Sequence, residues 1–92
     1  MLTEDAEVME RLNRLARLIG RIFSVTLGVD VSGDRLVFVD EGDESIMADG
    51  QEIIAATAHE IADKRHLDDF AVRAFRAALI YKNQEMERTR TP

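Results

Sequence analysis

Apolar residues recur at Val8, Leu12, Leu15 and Ile19, with Met9, Ala16 and Leu18 beside them, which is the spacing of a helix with a broad buried stripe. Thr3 suits an N-cap and acids follow it, so the pattern predicts a helix from about Glu4 to Ile19 that Gly20 stops. The period then changes to two. Phe23, Val25, Leu27, Val29 and Val31 alternate with Ser24, Thr26, Gly28 and Asp30, the signature of a strand with one buried face. Ser32-Gly33-Asp34 supplies turn chemistry, and Arg35 to Asp40 resumes as a β-branched and aromatic run, which predicts an antiparallel hairpin. In this second strand Leu36/Phe38 and Val37/Val39 are both apolar, so each face needs a cover.

The polar run Asp40-Glu41-Gly42-Asp43-Glu44 reads as a solvated loop, and Ser45 to Ala48 as a short third strand. Asp49 with Glu52 at N3 suggests a capping box, opening a second helix that runs to about Lys64 with Ile54, Ala58 and Ile61 as its stripe. A third helix is expected from Asp68 or Asp69, burying Phe70, Ala71, Ala74, Phe75, Ala78 and Leu79 and fading after Tyr81. The expectation is therefore a single α+β domain over residues 1–82, a two-layer helix, β-hairpin, helix, helix arrangement, with 83–92 as a flexible tail. A two-stranded sheet is marginal alone, so pairing with a second copy through the sheet, as a homodimer, is the expected completion.

Charge and composition narrow the function. The chain carries a net charge of −6, and residues 21–49 hold seven acids against only Arg21 and Arg35. Such a balance disfavours nucleic acid and favours a protein partner with a basic surface. The absence of cysteine removes disulfides, thiolate metal sites and thiol nucleophiles. No apolar run is long enough for a membrane span and the first residues are not a secretory signal, so no membrane contact and a cytoplasmic setting are expected.

Of the possible chemical motifs, none outweighs an ordinary structural role. His59-Glu60-Ile61-Ala62-Asp63 departs from the zinc-protease pattern HExxH by an aspartate in place of the second histidine, with His66 one turn beyond. Asp30, Ser32, Asp34 and Glu41 fall at calcium-loop positions, but Arg35 stands where that loop turns on glycine. Arg14, Arg17 and Arg21 share a helix sector, and the i,i+4 pairs Glu7–Arg11 and Glu10–Arg14 mark that side of the helix as a solvated face. No phosphate-binding loop and no cofactor motif is present.

Residues 53–81 resemble the helix-turn-helix of DNA-binding regulators in apolar register, through Ile61, Ala62, Leu67, Val72 and Phe75. That resemblance implies DNA contacts from Arg73, Arg76 and Lys82, although Asp68 and Asp69 open the would-be recognition helix. The reading favoured by the charge pattern is a non-enzymatic protein-interaction module using Asp40, Glu41, Asp43 and Glu44, with no cofactor and no metal. Small regulators, inhibitors, assembly factors and phage accessory proteins all fit such a module.

Overall fold

Helix α1 (Ala6–Ile22) places Val8, Leu12, Ala16 and Ile19 on its buried side, as the 3.6-residue period dictates. The computed structural model describes residues 6–61 and 67–90, so Thr3 and the expected start at Glu4 lie outside the described residues. The helix does not stop at Gly20. Ser24 takes the left-handed conformation (φ 58°), Val25 N–H donates to Gly20 O at 2.8 Å and Ser24 N–H to Arg21 O at 3.1 Å. This is a Schellman cap with serine in the position glycine usually fills. Gly20 serves the returning chain instead: a Cβ there would lie 2.7 Å from Val25 O and 3.2 Å from Leu27 Cβ.

Because the cap consumes residues 23–25, the first strand begins later than the alternation suggests. Strand β1 (Gly28–Ser32) pairs antiparallel with β2 (Arg35–Val39) across a two-residue turn in which Gly33 has φ 64°. Val29 and Val31 occupy non-hydrogen-bonded register positions, so their N–H groups face away from β2. Val29 N–H donates to Asn13 Oδ1 at 3.2 Å and Val31 N–H to Asp30 Oδ1 at 2.9 Å. Side chains thus already occupy the outward donors of this edge.

The largest departure falls on residues 49–57, the first part of the helix expected from Asp49 to Lys64. Asp49 (φ 54°) and Gly50 (φ 78°) instead turn a hairpin between β3 (Met47–Ala48) and β4 (Gln51–Glu52). Two successive positive-φ residues are what a two-residue type I′ turn requires, and Asp-Gly is suited to it. Strand β5 (Ile54–Thr57) then pairs antiparallel with β2, giving the sheet order β1-β2-β5. The third strand that the sheet needs therefore comes from this chain and not from a second copy. Helical structure resumes at α2 (Ala58–Ile61), and the expected continuation through Lys64 lies outside the described residues.

Helix α3 (Leu67–Arg90) packs against α1 and β5 and buries Phe70, Ala74, Ala77 and Ala78. The alanines let the helix lie close to its neighbours, while the Phe70 ring stacks at 5.5 Å on Phe38 of β2. Leu36, Phe38, Ile46 and Ala55 join the same cluster; Val37 and Val39 are buried outside it, between cross-strand neighbours Asp30/Ile54 and Gly28/Ser45. Two expectations for α3 change. Phe75 and Leu79 are about half exposed, and residues 83–90, expected as a tail, form its last turns, with Gln84 donating to Met47 O.

Gly20→Ala distinguishes the two roles of that glycine. At an unconstrained helix interior, alanine gains about 1 kcal/mol over glycine. Here the close approach of Val25 reverses the sign, and a loss of about 1–3 kcal/mol is expected in urea unfolding. A more stable variant would show that the chain after α1 has room for a side chain.

Candidate functional site

The acidic loop is a built turn. It leaves β2 at Asp40 and returns at Ser45, which bridges back to Val39. Asp40 N–H donates to Glu44 O at 2.9 Å and Asp43 N–H to Asp40 O at 3.1 Å, with Asp43 in the left-handed region (φ 58°). The Asp40 carboxylate accepts from Gly42 N–H at 2.9 Å and Glu44 N–H at 3.1 Å. An ionised side chain satisfying two loop donors is a strong local brace. Of the four candidate residues, Asp40 therefore holds the loop, while Glu41, Asp43 and Glu44 are exposed.

Helix α3 adds to this acidic end. Glu41 lines a shallow cleft with Tyr81, Lys82 and Glu85 of α3 and with Ser24, Val25 and Thr26 of the α1–β1 connection. The Tyr81 hydroxyl is pushed above its usual range by burial first, then by the charges of Glu85, Asp40 and Glu41, all of which oppose a phenolate. Tyr81 and Glu85 thus belong to the same surface as the loop. They stand some forty residues along the chain, and nothing local in the sequence links them to it.

The three basic residues expected to touch DNA do not gather. Arg73 turns inward: Nη2 donates to Glu60 Oε1 at 2.7 Å, while Nη1 donates to Glu60 Oε2 and to Ala55 O, each at 3.0 Å. Lys82, nine residues on and so half a turn out of phase, lies at the acidic cleft, and Arg76 faces solvent. Within the span of that resemblance, Ile54–Thr57 is a strand and α2 is described over Ala58–Ile61.

Within the HEIAD segment, Glu60 has a defined structural job. Thr57 and Glu60 form a capping box: Thr57 N–H donates to Glu60 Oε2 at 2.9 Å and Glu60 N–H to Thr57 Oγ1 at 3.3 Å. His59 is exposed, while Asp63 and His66 lie outside the described residues. Among the described residues no group of three or more metal-capable side chains converges. None of their helices is long and apolar enough to cross a membrane. Arg14, Arg17 and Arg21 do line one face of α1 with Glu10 and Asn13, and Arg14 pairs with Glu10 at 3.3 Å.

The Arg73 hydrogen bonds hold the Glu60 carboxyl at about 2, below its ordinary 4.5, with help from the Thr57 N–H and against the opposing effect of burial. A carboxyl lowered on folding adds stability above pH 4.5 and loses it as the pH falls toward 2. The Arg73 side chain is 39% exposed, so solvent screening reduces the benefit to about 1–2 kcal/mol. Glu60→Gln is expected to cost that amount at pH 7 in urea unfolding, with the gap to the parent chain closing by pH 2–3. A gap independent of pH would show that the charge contributes nothing.

No family model matches this chain, and neither a curated protein nor a solved structure does, so a function has to rest on the surfaces themselves.

Proposed function

We propose that the chain is a non-enzymatic protein-interaction module whose acidic loop docks on a basic surface of a partner protein. The supporting observation is the Asp40 brace, which presents Glu41, Asp43 and Glu44 on a hydrogen-bonded turn. Ordering the loop before binding lowers the entropy lost on contact. Glu85 and Tyr81 extend the same end with a further carboxylate and a phenol that stays neutral. The net charge of −6 adds long-range attraction for a basic partner.

Charges at the rim of an interface act chiefly on encounter, so the contact should be fast and sensitive to salt. Replacing Glu41, Asp43 and Glu44 together by Ser, with Asp40 retained, leaves the brace in place. In pull-downs from source lysate run with and without nuclease, the partner recovered with the parent chain in both is expected to bind this variant at least about tenfold more weakly at low salt, with less difference at high salt. Equal affinity for the variant would remove the loop from the interface. Recovery that depends on nucleic acid would overturn the reading.

A further inference from the structure

Beyond the acidic loop, the outer side of the helical layer carries a second surface. Along α3 the exposed Asp68, Val72, Phe75, Leu79 and Met86 and the half-buried Lys82 share one face, spaced four, three, four, three and four residues apart. That spacing averages 3.6 residues, the helix period, and so keeps these side chains on one face of α3. Val72 is 69% exposed, and Phe75, Leu79 and Met86 lie between 44 and 48%. The Phe75 ring meets Phe23 edge-on at 4.8 Å, which joins this face to the end of α1. There Ile22 is 70% exposed and Leu18, one turn earlier, 49%. These six side chains leave on the order of 600 Å² of apolar surface in water, at the upper limit for a monomer.

We propose that two copies of the chain associate through this face, with α3 of one copy antiparallel to α3 of the other. The area argues for a macromolecular cover: with its polar rim it approaches the roughly 800 Å² per partner of a specific interface. Charge identifies the cover as a second copy and sets its direction. The α3 face carries an acid, Asp68, near its start and a base, Lys82, toward its end. An antiparallel two-fold brings each Asp68 toward the other copy's Lys82 and repeats the contact by symmetry. A parallel pair would instead oppose like charges at both ends. The sheet offers no comparable surface at β1, whose outward Val29 and Val31 N–H groups already donate to Asn13 and Asp30.

Sedimentation equilibrium of the full chain at about 100 μM, well above a micromolar dissociation constant, tests the proposal. The expected mass is twice the 10.4 kDa of the chain. Val72→Glu and Leu79→Glu each alter an exposed position, so both should keep the parent's circular dichroism and thermal transition while sedimenting as monomers. Asp68→Lys and Lys82→Asp should each weaken association at least about fivefold, and the double exchange should restore it. A parent chain that is monomeric at this concentration would overturn the proposal. So would folded Val72→Glu and Leu79→Glu variants that remain dimeric, or capture of a different protein by the parent monomer that these variants lose. Failure of the double exchange to restore association would overturn the antiparallel arrangement.

Discussion

A single buried carbonyl sets the terms for this fold. The register between β2 and β5 shifts between Leu36 and Val37, so Ala55 is the extra residue of a bulge, without a partner in the ladder. Ala55 is 1% exposed, and its carbonyl would be left unsatisfied far from water. The Arg73 guanidinium supplies the missing donor and simultaneously grips both oxygens of Glu60, the residue that closes the capping box at Thr57. One planar group thus ties the bulge, the strand-to-helix junction and α3 together. Lysine, a point charge without the fork, could not serve all these acceptors with the same geometry.

The sheet depends on that junction. Leu36, Val37, Phe38 and Val39 are all buried, which demands a neighbour on each side of β2 as well as a helical layer across one face. β1 provides one side and β5 the other, while Phe70 of α3 covers Phe38. Holding β5 to α3 through Arg73 therefore sets the strand and its covering helix in register.

The elements whose local signals are long and consistent were legible in the sequence. The buried stripe of α1 follows from its period, the β1–β2 hairpin from alternation and a Gly-containing turn, and the α+β class from their order. The failures fall where a short segment permits two readings. Ile53 to Ala58 is rich in alanine and isoleucine, which a helix accepts, and only contact with β2 makes part of it a strand. Two local signals pointed the right way: Asp49-Gly50 is a hairpin turn, and Thr57-x-x-Glu60 is a better capping box than Asp49-x-x-Glu52. Gly20 misleads for a related reason, since a helix stop and a close backbone approach both select glycine. At the acidic surface the loop was visible as composition, whereas the bracing role of Asp40 and the nearness of Tyr81 and Glu85 arise only on folding. Arg73 looked like a surface base because its partners lie thirteen and eighteen residues away.

The division of labour among charged residues follows from these placements. Asp40, Glu60 and Arg73 are spent on local architecture, which leaves Glu41, Asp43 and Glu44 as the loop's outward charges. The measurement that tests the account most directly is a double-mutant cycle in urea unfolding at pH 7, built from Glu60→Gln, Arg73→Met and the pair. The clamp requires a coupling of about 1–2 kcal/mol between the two positions, since each substitution removes the same interaction. Additive losses, with coupling near zero, would contradict it and leave the bulge to be held by the rest of the core.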